Sequence, residues 1–194
     1  MNRPPARLPR PLQVVCAGFA LAAAACATTA PAHREFGGPA LPPVIDAHIH
    51  TNFYDRLNPD SKVMDSRDGL AEEMKRSHVV GAVSMNHPGD PYADLSDLHV
   101  IHCVGLDAKV DEEALEADLA SGRYRCIKIY LGYVHQYAAD LAYEPAYRLA
   151  EKYKVPVVVH TGDTSNREAK LKYADPLAID DVAVDHPKGT VVLA

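Results

Sequence analysis

The sequence predicts an α/β fold, namely a (β/α)8 TIM barrel of which about six βα units are present. Short β-branched apolar runs alternate with amphipathic stretches, each repeat takes about 30 residues, and two of the runs end in histidine. Alternation favours parallel strands, because each parallel strand needs a crossover that covers the sheet. Eight such units would need roughly 240 residues. The alternative is an open six-stranded α/β sheet, which should end in a covering helix or a tail.

The predicted elements follow one another from Val44 to Ala194. In chain order they are a strand in VIDAHIH, a helix around Asp68 to Ser77, strands in VVGAVSM and LHVIHCVGL, a helix from Asp111 to Ala120, a strand in CIKIYL, a helix around Glu144 to Lys152, a strand in VPVVVH, a helix around Pro176 to Val184 and a strand in TVVLA. Leu115 and Leu119 give the second helix its apolar face. Because the chain ends inside a predicted strand, we expect it to be the front three-quarters of a larger protein.

The first 26 residues have the layout of a secretory signal peptide. Three arginines precede an uncharged, Ala-rich run over residues 11–25, which is too short for a convincing membrane span. The run ends in LAAAAC, which resembles the lipobox of bacterial lipoproteins and predicts lipidation of Cys26. Cleavage after Ala27, at Ala25-Cys26-Ala27, would instead release a soluble protein. The predicted location is therefore exported and periplasmic, with a lipid anchor to a membrane in the first case.

The composition after the leader limits the partners. Residues 27–43 are rich in Ala, Thr, Pro and Gly and suit an extended tether, so the incomplete barrel is predicted over 44–194. Three of the 20 basic residues and none of the 26 acidic ones precede residue 27. Residues 27–194 therefore carry a formal charge of −9. This charge excludes a basic surface for nucleic acid, and the predicted partner is a small-molecule substrate. Cys103 and Cys126 lie in apolar runs and are predicted to be separate buried residues rather than a disulfide.

Histidines end two of the predicted strands. Asp46, His48 and His50 are two residues apart, so strand alternation places all three on one face. Ten histidines in 194 residues make such a pair common by chance, but His160 closes VPVVVH in the same way. Imidazoles are good ligands for Zn²⁺, and a barrel collects its strand ends at one rim, so a metal site is predicted there. The alternative for His160 is a hydrogen-bonded residue at a strand end.

Four segments resemble a known family. VIDAHIHT, CIKIYL, VVVHTG and DHPKGTVVLA are similar to segments of the amidohydrolase superfamily, and most similar to its amidohydrolase-related branch, which contains aminocarboxymuconate semialdehyde decarboxylase-like enzymes. The resemblance covers 44–194 and implies a barrel of the metal-dependent hydrolase type, with metal ligands at His48, His50 and His160. It also implies a strand-six histidine and a strand-eight aspartate. These would lie beyond Ala194, so the catalytic proton-transfer residues are expected outside this chain.

The resemblance implies a metal-dependent hydrolase as the function. A divalent metal, with Zn²⁺ expected, would activate water for attack on an amide, ester or lactone carbonyl of a small molecule. Two alternatives stay open: a metal-dependent nonoxidative decarboxylase of an unsaturated or aromatic acid, and a non-catalytic exported metal- or solute-binding lipoprotein. A barrel cut after strand six would expose a strand edge and lack part of its metal shell, so such a fragment is expected to be inactive.

Other polar residues are predicted to bind the substrate. Lys128 shares its strand face with Cys126 and Tyr130, and a buried ammonium needs a partner. The resemblance implies either a carboxylated lysine between two metals or, in this branch, a lysine that binds an acidic substrate; a head group that reaches solvent is the alternative. The predicted substrate-binding residues are Lys128, Arg56, Tyr130 and Asp163, while the roles of Tyr133, His135 and Ser165 are open. His87 either lines the mouth or belongs to a loop, and His102 is predicted to be a hydrogen-bonded core residue.

Overall fold

Six parallel strands form the sheet of the computed structural model, which describes residues 42–51, 53, 66–164 and 166–194. They are β1 (Val44–Ile49), β2 (Val79–Met85), β3 (Val100–Leu106), β4 (Tyr124–Ile129), β5 (Val157–Val159) and β6 (Val191–Leu193). Each strand pairs with the next in chain order. A doubly wound sheet would reverse its order part-way. This sheet instead curls in one direction as part of a (β/α) barrel, which confirms the predicted fold class.

A loop with a 3-10 turn joins β2 to β3, and helices connect the other strands. In the described part of the chain they are α1 (Arg67–Arg76), α2 (Glu112–Ala120), α3 (Leu131–Val134), α4 (Glu144–Tyr153) and α5 (Asp180–Asp185), with 3-10 turns at Ser96–Leu98, Leu141–Tyr143, Leu171–Tyr173 and Pro176–Ile179. Side chains cap the N-termini of two helices. The hydroxyl of Ser66 accepts a hydrogen bond from the backbone N–H of Gly69, and the carboxylate of Asp111 accepts one from the backbone N–H of Ala114. The last predicted helix is instead a 3-10 turn that leads into α5. The other short turns were not predicted, because they are too short to show helical periodicity.

The two faces of the sheet bury different side chains. Ile127 and Ile129 belong to the large cluster on the helix-facing side, together with Leu149 of α4. Since successive residues of a strand alternate, Cys126 and Lys128 point to the inner face. The cluster on that face is smaller and consists of Met85, Cys103, Cys126 and Val158. Among the described residues, the apolar layer on the inner face is therefore small, and polar side chains lie on the same side of the sheet.

Cys103 and Cys126 form a disulfide, so the prediction of two separate thiols is wrong. The two residues are register partners on β3 and β4, with their Cα atoms 4.2 Å apart. Both side chains point to the inner face, where their sulfurs can meet. The pairing depends on which strands are neighbours and on their register, and a spacing of 23 residues reveals neither.

Strand β1 contains a β-bulge next to its histidines. Asp46 pairs with Ala82 and Ile49 with Ser84, so β1 advances by three residues while β2 advances by two. An extra residue reverses the alternation of side chains. Asp46 lines a groove beside α1, whereas His48 and His50 face the inner side, so the predicted common face is wrong for Asp46. The carboxylate of Asp46 instead accepts the backbone N–H of His48 at 3.0 Å.

Several predictions concern residues that the structure does not describe. The predicted leader with Cys26, nearly all of the tether over 27–43, Arg56 and Ser165 lie outside the described residues. Within the described ranges, no helix is both long enough and apolar enough to cross a membrane.

Candidate active site

A cavity of about 330 Å³ opens on the inner face. Its lining residues belong to β1 and to the segments that directly follow β1, β2, β4 and β5, and they are His48, His50, His87, Pro88, Tyr130, Tyr133, Val134 and His160. Active sites of (β/α)8 barrels lie at this carboxyl end of the strands. The fold therefore brings His48, His50, His160 and Tyr130 together, although they are up to 112 residues apart in the chain.

The ring of His50 is oriented by a backbone carbonyl. Its Nδ1 lies 2.8 Å from the carbonyl oxygen of Met85, the last residue of β2. A carbonyl can only accept, so Nδ1 carries the proton and the lone pair is on Nε2. The His48 ring lies beside it, with the ring centroids 5.3 Å apart. A histidine that donates one nitrogen to a carbonyl is the usual arrangement of a metal ligand, because it fixes the tautomer and the ring orientation.

His160 is oriented in the opposite sense. Its Nε2 lies 2.7 Å from the carbonyl oxygen of Asp163, so Nε2 carries the proton and Nδ1 the lone pair. The carboxylate of Asp163 accepts the amide N–H of Thr164 at 2.8 Å. The side chain of Asp163 is exposed and does not line the cavity. In this structure Asp163 therefore acts on the cavity through its main chain, and its predicted contact with substrate stays a prediction.

The environment of the three histidines favours their neutral form. Burial is the main cause that lowers the pKa of each imidazole. The positive charge of Lys128 adds to this effect at His48 and His160, and His87 adds to it at His50. Only a neutral imidazole can coordinate a cation, so the donors are already in the required state near neutral pH.

Lys128 is buried on the same face of the sheet. Its exposure is 0%, which excludes the alternative in which the head group reaches solvent. Nζ has no hydrogen-bond partner among the described residues and lies 5.5 Å from the centroid of the Tyr130 ring. Burial lowers the pKa of Lys128 to about 8. At neutral pH this side chain is therefore mostly a cation, stabilised by an aromatic ring and without an acidic partner in the described part of the chain.

We expect Lys128 to make the metal-free protein more stable as the pH rises from about 8 to 10.5. In this interval the unfolded chain, in which the lysine has its ordinary pKa of 10.5, binds more protons than the folded chain, in which the pKa is about 8. Raising the pH therefore favours the folded state. Lys128→Met should remove this dependence and stabilise the protein at pH 7 by about 3 kcal/mol. Urea unfolding at several pH values measures both effects.

The control for this experiment is Lys75→Met, which changes an exposed lysine of α1. It should leave the pH dependence as in the wild type. Parallel stability curves for the wild type and Lys128→Met between pH 8 and 10.5 would contradict the buried position of the ammonium group.

His87 and Tyr133 line the cavity although neither was among the predicted ligands or substrate-binding residues. His87 lies in the loop after β2 and also lines the mouth of the cavity, so the two predicted positions are the same place. The rings of Tyr133 and His160 are 5.1 Å apart between centroids. The signal for His87 was its position directly after a strand, at the same end of the sheet as His50. Tyr133 gave no such signal, because it lies within α3, a helix that was not predicted.

The donor set fits a divalent cation in its chemistry. Three neutral imidazoles, two of them with a fixed tautomer, contribute to one cavity. Within the described ranges, however, no group of three His, Cys, Asp or Glu side chains lies close enough together to hold one ion. The residues that would bind a metal are therefore collected at one place, while their side chains are farther apart than coordination requires.

Comparisons with known proteins bear on the same region. The amidohydrolase family model matches residues 45–194. A solved structure, an uncharacterized TIM-barrel protein Bb4693 from Bordetella bronchiseptica, is 22% identical with a TM-score of 0.54; the match covers 66% of this chain and 50% of that one. This likeness supports the barrel fold, and the chain spans about half the length of that protein. No curated protein matches significantly. From the family match over residues 45–194, the chain belongs to the amidohydrolase family.

Proposed function

We propose that the protein is a metal-dependent hydrolase that acts on an amide, ester or lactone of a small molecule. The observation that carries the proposal is that neutral histidines from two distant strands line one cavity, with a nitrogen of His50 and of His160 held by a backbone carbonyl. The amidohydrolase superfamily generally uses divalent metals. His48, His50 and His160 would hold the ion, and Zn²⁺ suits a set of imidazole ligands.

The metal, when bound, would supply a Lewis acid and a more acidic water. The chain's own residues would orient the substrate. Lys128 does not itself line the cavity, but its charge lies on the same face of the sheet and would favour an anionic group of the substrate or the charge that develops on its carbonyl oxygen, because its Nζ has no hydrogen-bond partner among the described residues. The hydroxyl of Tyr130 donates towards the carbonyl oxygens of Met85 and Asn86, at 3.0 and 3.1 Å. Burial raises the pKa of Tyr130, so its ring rather than a phenolate would contact the substrate.

Hydrolysis of 4-nitrophenyl acetate, γ-butyrolactone and benzamide by the full-length protein tests the proposal. The protein is first stripped with a chelator and then reloaded with Zn²⁺. We expect turnover of at least one probe to disappear on stripping and to return on reloading. His186→Ala is the matched control, because His186 packs against Tyr147 and does not line the cavity. If the stripped protein turned over every active probe as fast as the untreated protein does, the reaction would not depend on a metal, and the proposal would be contradicted.

A metal-dependent nonoxidative decarboxylase, as in the aminocarboxymuconate semialdehyde decarboxylase-like branch, is the second candidate. The buried ammonium of Lys128 favours it, since a substrate carboxylate would supply the missing anionic partner. In that case His48, His50 and His160 would have the same role towards the metal. Release of CO₂ from an aromatic carboxylate such as salicylate, without hydrolysis of the ester, lactone or amide, would decide for this reaction.

We also propose that the protein is exported. The predicted leader is the main reason, and the disulfide between Cys103 and Cys126 supports it, because structural disulfides persist mainly in oxidising compartments. Lipidation of Cys26 and a substrate contact by Arg56 remain predictions from the sequence.

A further inference from the structure

His87 lies between two other rings of the cavity. Its ring is nearly parallel to that of His50, with centroids 4.9 Å apart and an angle of 11° between the planes. On the Tyr130 side the centroids are 5.1 Å apart and the angle is 20°. Both faces of the imidazole are therefore in contact with protein rings. What the side chain can offer to a molecule in the cavity is its polar edge.

The backbone that carries His87 is held by close packing. A Cβ atom on Gly105 would come within 2.1 Å of the carbonyl oxygen of Asn86 and within 2.7 Å of the carbonyl carbon of His87. Only glycine leaves room for this approach of the loop to β3. The hydroxyl of Tyr130 also bonds to the carbonyl oxygen of Asn86 at 3.1 Å. The loop is thus fixed from two sides, and the position of His87 is determined by the sheet.

The carboxylate of Asp90 lies beside Nδ1 of His87. Its Oδ2 accepts the backbone N–H of His87 at 2.7 Å and lies 3.5 Å from Nδ1 of the same residue. A carboxylate beside Nδ1 favours the proton on that nitrogen, which leaves the lone pair on Nε2. Among the described residues no hydrogen bond to Nε2 of His87 is formed, and the side chain lines the cavity. Nε2 is therefore a free acceptor at the cavity wall.

We propose that His87 determines specificity by accepting, at Nε2, a hydrogen bond from an N–H or O–H group of the ligand that occupies this cavity. The ligand class is a small amide, phenol or alcohol in preference to a molecule of the same shape without a donor. The inference rests on the proposed function in one respect, since it takes the same cavity as the binding site. It does not require a metal.

The test compares two ligands that differ in this donor. Benzamide has N–H groups, and methyl benzoate has a similar ring and carbonyl but no donor. Their dissociation constants are measured by NMR titration of the metal-free, full-length protein. We expect the wild type to bind benzamide about fivefold more tightly than methyl benzoate, as one net hydrogen bond provides. A general loss of packing would weaken the binding of both ligands by the same factor. The ratio of the two dissociation constants therefore measures the contribution of the hydrogen bond.

Three variants make the ratio decisive. His87→Phe keeps a ring between His50 and Tyr130 and should bring the ratio to about one. His87→Gln restores an acceptor near the position of Nε2 and should recover most of the preference. His186→Phe changes a histidine that packs on Tyr147 outside the cavity and should behave as the wild type.

The proposal is overturned by a wild type that binds neither ligand, or by a His87→Phe variant that keeps the preference for benzamide. The outcome is independent of the proposed function, because the measurement is made without metal. A protein that binds no metal, yet prefers benzamide through His87, would contradict the hydrolase and support this inference.

Discussion

Replacing His48 or His160 with alanine should weaken metal binding by more than about 100-fold and abolish metal-dependent activity of the full-length protein. Loss of a residue that only orients a ligand already weakens metal affinity 10- to 100-fold, and loss of the ligand itself should cost more. The two residues come from β1 and β5, so each variant removes a donor from a different wall of the cavity. Zinc content after equilibration in buffered Zn²⁺, measured by mass spectrometry, gives the occupancy directly.

The matched control is His186→Ala, which removes an imidazole outside the cavity and should retain the metal of the wild type. Circular dichroism of each variant verifies that the fold is intact. If His160→Ala bound zinc as tightly as the wild type, His160 would be only a hydrogen-bonded residue at a strand end, and the proposed ligand set would be wrong.

Removing the disulfide should lower the free energy of unfolding by about 3 kcal/mol. The bond closes a loop between residues 23 positions apart, and its loss allows the unfolded chain many more conformations. Both cysteines are buried, with exposures of 0% for Cys103 and 3% for Cys126. Reductant should therefore act on the unfolded protein and hardly on the folded one. Urea unfolding of the double variant Cys103→Ala/Cys126→Ala, compared with the oxidised wild type, measures the loss.

Wild-type protein unfolded and refolded with reductant is the control that separates the bond from the missing sulfur atoms. It should lose most of the same stability although no side chain has been shortened. Free thiols at both Cys103 and Cys126 in protein prepared from an oxidising compartment, or equal stabilities with and without reductant, would contradict the disulfide.

Much of the sheet could be predicted from the sequence because its signal is local. VVGAVSM corresponds to β2 over its full length, and the spacing of the apolar runs, with helices between most of them, predicted the six parallel strands of the described residues. Strand β4 was predicted about two residues late. The apolar run continues through Tyr130 and Leu131, but these residues end the strand and begin α3. Hydrophobicity alone does not distinguish a strand end from a buried helical turn.

The parts that could not be predicted depend on register and on loop geometry. The sequence indicates that histidines lie at or directly after the ends of β1 and β5, which is sufficient to place His48, His50 and His160 at one cavity. It does not indicate that Cys103 and Cys126 are opposite each other on adjacent strands. The acceptor nitrogen of His87 also depends on the turn that brings Asp90 back to it. Each of these features depends on residues that are close in space but distant in the chain or joined by a turn. Sequence patterns reveal only the relations between residues that are close in the chain, so they do not predict these features.

The bulge in β1 has a consequence for the electrostatic character of the site. By turning the side chain of Asp46 towards α1, it keeps a carboxylate out of the cavity that His48 and His50 line. Imidazoles add no negative charge, so a cation held by His48, His50 and His160 would keep both of its positive charges. Together with the ammonium group of Lys128, such an ion would give the cavity a positive potential in a chain whose formal net charge is −6. One extra residue in a strand would thereby favour anionic molecules at the centre of an acidic protein.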